Sequence, residues 1–249
     1  MKLYLSTTSP YSRLALIAAM RSGHTNLQLH YVLPWENPAD LLAVNPYSQI
    51  PALHCDDGNI LTETLIIMNY LDDRVLRGGG TCARAAYGIA TINQAVRAFS
   101  LAMHQPAGSL PHPHITRSCD ALARALPHAP QLDPASADWG HIILGNGLNY
   151  VRMRLPEIYT AHTSRDNQSA VAAFLAWHAT SCKKPKRRNW KNAPSASPTC
   201  KNLVATAQPP SPLRFSAGGD FCMVSTPALF RTTVANLAML PPFCLAEKG

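Results

Sequence analysis

Asn45-Pro46-Tyr47-Ser48-Gln49-Ile50-Pro51-Ala52-Leu53-His54, continued by Cys55-Asp56-Asp57-Gly58-Asn59-Ile60-Leu61-Thr62-Glu63-Thr64, is the stretch that decides the fold. Two apolar runs, Ile50 to His54 and Ile60 to Thr62, flank Asp56-Asp57-Gly58-Asn59, and Asp-Gly between such runs is a strong hairpin signal. A helix from Thr64 to Asp73 follows directly, with Thr64 expected as its N-cap.

Toward the N-terminus, Leu3 to Ser6 reads as a short strand and Ser9-Pro10 opens a helix over Tyr11 to Arg21. Leu27, Leu29, Tyr31 and Leu33 alternate on one face of a strand, and Asn37 to Val44 reads as a short helix. The order β-α-β-α-β-β-α implies a mixed sheet with helices on its faces.

Toward the C-terminus the strand signals stop. Gly78-Gly79-Gly80 reads as a flexible connector, Ala83 to Gln105 as a long helix, and Gln105 to Ser118, with three prolines, as a loop. Cys119 to Ala129 has the spacing of a short helix. Asp138 to Leu155 carries apolar residues nearly all round, which places it at the centre of a helical bundle, and Ala170 to Thr180 supplies a last helix. From Lys183 the pattern dissolves into Pro, Ser, Ala and Thr.

Composition excludes several classes. No apolar run approaches the roughly 20 residues of a membrane-spanning helix, and no signal-peptide pattern opens the chain, so a cytoplasmic protein with no membrane partner is expected. Seven scattered cysteines without a C-x-x-C pair argue against a disulfide framework, a zinc ribbon and a dithiol site. The ten histidines show no metal-ligand spacing, and His112-Pro113-His114 falls in the expected loop, so no metal is expected. The net charge is +8, yet residues 1–182 hold 12 Lys/Arg against 12 Asp/Glu, and the whole excess lies in residues 183–249. Nucleic-acid binding by the folded part is therefore not expected. Lys183-Lys184-Pro185-Lys186-Arg187-Arg188 resembles an import or polyanion-binding patch, against which stand a translated extension without selected function and a solvated linker.

Three places carry chemistry. Ser9, before Pro10, is an expected N-cap, and a thiol beside its hydroxyl would feel both a donor and the positive pole of the helix. Free thiols titrate near ~8.5, so a shift of one or two units ionises most of a bound thiol at neutral pH. Serine is also simply a good cap. Ile50-Pro51 opens a strand, where proline needs either an edge position or a cis bond; the latter would leave the Ile50 N–H and C=O free to bind an extended peptide. Thr62-Glu63-Thr64 offers free amides at a helix start for a carboxylate and, in Glu63, an acid for an amino group; a plain capped helix is the other reading. A ligand with a thiol, a peptide backbone and a free α-amino acid end satisfies all three, and glutathione has that description.

The runs Ser9-Pro10-Tyr11-Ser12-Arg13, Asn45 to Leu53, Asp57-Gly58 and Leu61-Thr62-Glu63-Thr64, with Ile66, Ile67 and Tyr70-Leu71, resemble the thioredoxin-like domain of the glutathione transferase family, in its bacterial type with serine at the thiolate position. Leu148 to Glu157 is similar to the end of that family's central helix, so the resemblance covers about 180 of 249 residues. It implies a thioredoxin-like, glutathione-binding domain over 1–76 and an all-helical domain over 83–182; the basic, Pro/Ser/Ala-rich residues 183–249 depart from it and are expected as a disordered tail. It implies attack of the glutathione thiolate on a hydrophobic electrophile, as in detoxification, by a homodimer with no prosthetic group and glutathione as co-substrate. Ser9 takes the thiolate position; Gln49, Ile50, Pro51, Glu63 and Thr64 bind the rest of glutathione; Tyr11, Phe99 and Met103 face the electrophile. Thr64 stands where the family commonly has Ser, and Gln49 where many relatives have Lys. A glutathione-binding scaffold and a glutathione-dependent cis-trans isomerase are the alternatives.

Overall fold

In the computed structural model, residues 1–24, 27–106 and 109–181 are described, the side chains of 176–181 excepted. The expected tail from residue 183 and the side chain of Trp177 therefore lie outside what is described.

The sheet part runs β1 (Lys2–Leu5), α1 (Pro10–Ser22), β2 (Gln28–Tyr31), a 3₁₀ turn (Pro34–Glu36), α2 (Ala39–Leu42), β3 (Ala52–His54), β4 (Ile60–Leu61) and α3 (Thr64–Leu71). The four strands form a mixed sheet in the order β2-β1-β3-β4. β1 runs parallel to β2, with Leu3 opposite Leu29, and antiparallel to β3, with Leu3 opposite Leu53. The β3–β4 hairpin closes around Gly58, whose φ of 86° suits glycine, and the Asp57 carboxylate accepts from the Asn59 N–H.

Strand alternation divides the sheet faces. Leu3, Leu5, Leu29 and Leu53 point into the core shared with α1 and α3, while Tyr4 and Ala52 pack on Leu41 of α2 across the other face. Leu29 is buried, but Leu33, expected on the same strand face, lies beyond β2 and is exposed, because the chain has already turned into Pro34–Glu36.

Beyond the sheet the chain is helical: α4 (Gly79–Met103), α5 (Pro113–Ala125), a 3₁₀ turn (Leu126–His128), α6 (Trp139–Arg154), α7 (Pro156–His162) and α8 (Arg165–Ser181). The helix α6 is buried from Ile142 to Val151 without interruption, as its apolar circumference demands. It crosses α4 at glycines: a Cβ on Gly88 would sit 2.8 Å from the Ile143 backbone, and one on Gly147 would sit 2.8 Å from the Gly88 carbonyl oxygen. Close approach of two backbones needs residues without side chains.

Three expectations are corrected. Gly79 and Gly80 belong to α4; only Gly78, at φ 86°, acts as the turn that caps it. The proline-rich stretch is not a loop to Ser118, since Pro113 occupies the first turn of α5, where its missing N–H costs nothing. His112 is the N-cap there, its Nδ1 accepting from the His114 N–H at 3.2 Å, so the His-Pro-His run starts a helix. Thr64 is the first helical residue of α3 rather than its cap, which is Glu63.

The two parts share one core. Ile92 of α4 and Trp139, Ile142 and Ile143 of α6 join the same buried cluster as Leu14, Ile17 and Met68. The Trp139 indole N–H donates to Asp72 at 3.1 Å, and the Asn146 amide donates to the Pro10 carbonyl at 3.1 Å, so α6 is tied both to the end of α3 and to the first turn of α1. Among the described residues no helix is long and apolar enough to cross a membrane.

Candidate functional site

Ser9 caps α1 from an extended backbone, and its Oγ accepts from the Ser12 N–H at 3.2 Å. A hydroxyl that accepts with its oxygen keeps its hydrogen free to donate, so a sulfur placed beside Ser9 would meet that hydrogen and the helix's positive end together. Two further bonds hold this turn. Ser12 Oγ accepts from the Ser6 N–H at 3.2 Å, and Asn146, 1% exposed, reaches the Pro10 carbonyl from α6. Sequence reading missed Asn146; an amide set, with Asn149, among the apolar residues of the helix was its only signal.

Tyr11, one residue past the proline, gives its hydroxyl to Asn93 of α4 at 2.5 Å. Burial, then Tyr150 and Glu63, push its phenol well above the ordinary tyrosine range, with Arg97 opposing. The phenol is thus a neutral donor already engaged, which leaves Ser9 as the better placed hydroxyl for an anion. The same influences set Glu63 and Tyr150 in the surroundings of Tyr11.

The Ile50-Pro51 bond is cis. β3, which Pro51 precedes, is an inner strand between β1 and β4, so the reading as an edge-strand proline is excluded. Among the described residues, neither the N–H nor the C=O of Ile50 has a hydrogen-bond partner. The loop before it is built by residues that sequence reading did not single out. Asn45, 2% exposed, donates from its amide to the Gln49 carbonyl at 2.8 Å and accepts from the Tyr47 N–H at 3.2 Å. Ser48, at φ 51°, donates its hydroxyl to the Pro34 carbonyl at 2.8 Å. Asn-Pro was the available sign of such a turn. The Gln49 side chain stands exposed, and Pro51 is buried.

Glu63 caps α3 at φ 66° and ψ 122°, a conformation that costs an L-residue of order 1–3 kcal/mol and persists mainly at ligand sites. Its side chain is exposed and makes no capping bond, while Thr64 behind it is buried. The amides of the first turn of α3 are therefore open to an anion, with a carboxylate alongside.

Of the three residues expected at the electrophile, Tyr11 is half-buried and Phe99, 8% exposed, lies under the Arg154 guanidinium, 4.6 Å from its ring centroid. Met103, 45% exposed, ends α4 one turn beyond Phe99 on the same helix. Among the described residues no three His, Cys, Asp or Glu side chains gather as a metal set would.

Residues 8–74 match the glutathione S-transferase N-terminal domain. A curated relative, glutathione S-transferase GstA of Escherichia coli O157:H7, is 58% identical over 40 residues, a stretch that spans 16% of this chain and 20% of that protein. A glutathione transferase family member from Pseudomonas fluorescens Pf-5, solved with bound glutathione, is 22% identical, with 70% of this chain and 97% of that one covered at a TM-score of 0.54. A glutathione S-transferase from Methylobacterium radiotolerans, solved with glutathione sulfonate, is 20% identical over 73% of this chain and 91% of its own, again at 0.54. At such identities the structural likeness speaks for the fold.

Proposed function

We propose that this chain, which resembles the glutathione S-transferases in N-terminal sequence and in fold, is a glutathione transferase that conjugates the glutathione thiolate to a small electrophile. The observation that carries the reading is the unpartnered Ile50 backbone standing with Ser9 and Glu63 on the sheet part.

Each part of the tripeptide has a counterpart. The sulfur lies at Ser9, whose hydroxyl hydrogen and helix terminus favour the anion. The cysteinyl peptide group pairs with the Ile50 N–H and C=O as an added strand, held in place by Pro51 and by the loop that Asn45 fastens. Gln49 borders that peptide from the exposed side. The γ-glutamyl carboxylate takes the first amides of α3 at Thr64, and the ammonium takes Glu63. Glutathione lowers no barrier by itself; rate comes from thiolate at neutral pH and from its fixed direction of attack.

The glutathione-binding domain is assigned to 1–76 and the helical domain to 83–182, in a cytoplasmic, detoxifying homodimer. Ile66 and Tyr70, half-exposed and four residues apart on α3, offer apolar surface that a second copy would cover.

Retention on immobilised glutathione followed by a conjugation assay tests the reading. Retention with turnover supports a transferase; retention without turnover of any electrophile leaves a glutathione-binding scaffold or a glutathione-dependent isomerase; failure to bind removes all three.

A further inference from the structure

Five of the eleven arginines among the described residues have an acceptor. Arg74 pairs with Asp72, Arg77 with Asp73 and Arg84 with Asp138, while Arg21 donates to the Ala137 carbonyl and Arg152 to the Asn149 side chain. Arg13 and Arg154 are among the other six, and Arg13, one turn beyond Ser9 on α1, is the most deeply buried of all, 9% exposed, with a buried Nε that has no partner, as is also true of Arg21 and Arg84. Arg154, at the end of α6, also has a buried, unpartnered Nε; its guanidinium lies 4.6 Å from the Phe99 ring centroid and 5.8 Å from that of Tyr150. Among the described residues no carboxylate stands within ion-pair distance of either.

The two cations feel each other. Burial first and Arg154 second lower the basicity of Arg13, and only Tyr150 opposes. A guanidinium stays charged in a protein, so this region holds two positive charges, that of Arg13 buried, with no carboxylate to balance them. Removing a partner from a buried charge is among the most destabilising changes known, and a fold keeps such an arrangement where an incoming ligand completes it. The planar fork of arginine matches a carboxylate, and flanking aromatic faces suit an aromatic body attached to it.

We infer that Arg13 and Arg154 bind the carboxylate of the electrophile, so that the preferred co-substrate is an aromatic acid seated on Phe99 and Tyr150 rather than a neutral hydrophobe. This rests on the transferase reading above. Glutathione has two carboxylates of its own: the γ-glutamyl one is drawn to α3, and the glycyl one is the competing occupant that the glutathione-affinity readout below distinguishes. With 4-chloro-3-nitrobenzoate as probe, the thiolate sulfur forms a bond to the ring carbon bearing chlorine; the carbon–chlorine bond breaks, chloride leaves with the electron pair, and the thiol proton passes to solvent.

The test compares kcat/KM of the full chain for 4-chloro-3-nitrobenzoate and for its methyl ester, with calorimetric binding of unreactive 4-nitrobenzoate in saturating glutathione. The acid should be preferred by about tenfold or more, as a charge-assisted pair predicts, and Arg154→Gln should cut the acid-to-ester ratio by about tenfold while glutathione affinity changes less than about twofold. Should Arg154→Gln fail to fold, Arg154→Lys, which keeps the charge and loses the fork, must still narrow the ratio. An acid-to-ester ratio near one in the wild type, or one unchanged in the variant, overturns the inference and leaves the transferase reading standing. Glutathione affinity that falls while the ratio holds gives the arginines to glutathione and also overturns it. If neither probe is turned over, Arg154-dependent binding of 4-nitrobenzoate sustains the anion site and its absence overturns the inference, while conjugation of other electrophiles decides the transferase reading.

Discussion

Ser9 has two duties that one substitution separates. As N-cap it accepts from Ser12, and Ser9→Ala should lower stability by about 1 kcal/mol in thermal or denaturant unfolding. As thiolate donor it supplies one hydrogen bond to a charge, worth about 1.5–3 kcal/mol, so turnover should fall by roughly 10- to 100-fold while glutathione is still retained. Unchanged turnover in a folded variant would move that duty to another hydroxyl. Glu63 offers the opposite combination. Its positive φ makes Glu63→Gly stabilising by up to about 1–2 kcal/mol, read as a rise in melting temperature, while glutathione affinity falls by about tenfold or more through loss of the carboxylate. A variant that gained stability and kept its affinity would remove Glu63 from the site. Ser9 and Ile50 were legible in the sequence because proline marks both; Asn-Pro marked Asn45 as the start of a turn but not as its fastening, and Asn146 was not legible, since a buried amide leaves no periodic trace.

The same contrast holds for the elements. Apolar alternation and the Asp-Gly turn made β1, β2 and the β3–β4 hairpin readable, and the apolar circumference of α6 marked it as buried. Proline and glycine misled where they begin helices rather than end them, as Pro113 does for α5 and Gly79 for α4. Helix α7 escaped notice because seven residues give too little period to register. What no pattern could reveal is which helices cross at glycine. Gly88→Ala would drive a methyl to within 2.8 Å of the Ile143 backbone, where no side chain can rotate away, and should destabilise by about 2–4 kcal/mol in denaturant unfolding. An unfolding midpoint equal to the wild type would mean that the α4–α6 crossing is looser than described.

Across the molecule, Asp72 joins the end of α3 to α6. Its buried carboxylate accepts from Arg74 Nε and Nη2 at 2.7 Å each and from the Trp139 indole at 3.1 Å, and chiefly the Arg74 bonds hold its pKa down to about 2. An unfolded aspartate titrates near ~3.9. Because the folded value is the lower one, the native state binds fewer protons, and the stabilisation is complete above the unfolded value and lost as pH falls through the folded one. The shift corresponds to about 2–3 kcal/mol, so unfolding free energy should drop by that amount between about pH 5 and 2, and Asp72→Asn should flatten the slope. An unaltered slope would place the acid sensitivity elsewhere. The account as a whole stands on the sulfur of bound glutathione being an anion at neutral pH. Ultraviolet titration of thiolate absorbance in the saturated complex measures this most directly: the thiol pKa should lie about 1–2 units below that of free glutathione and return toward it in Ser9→Ala. A bound thiol that ionises no more readily than the free tripeptide would contradict it.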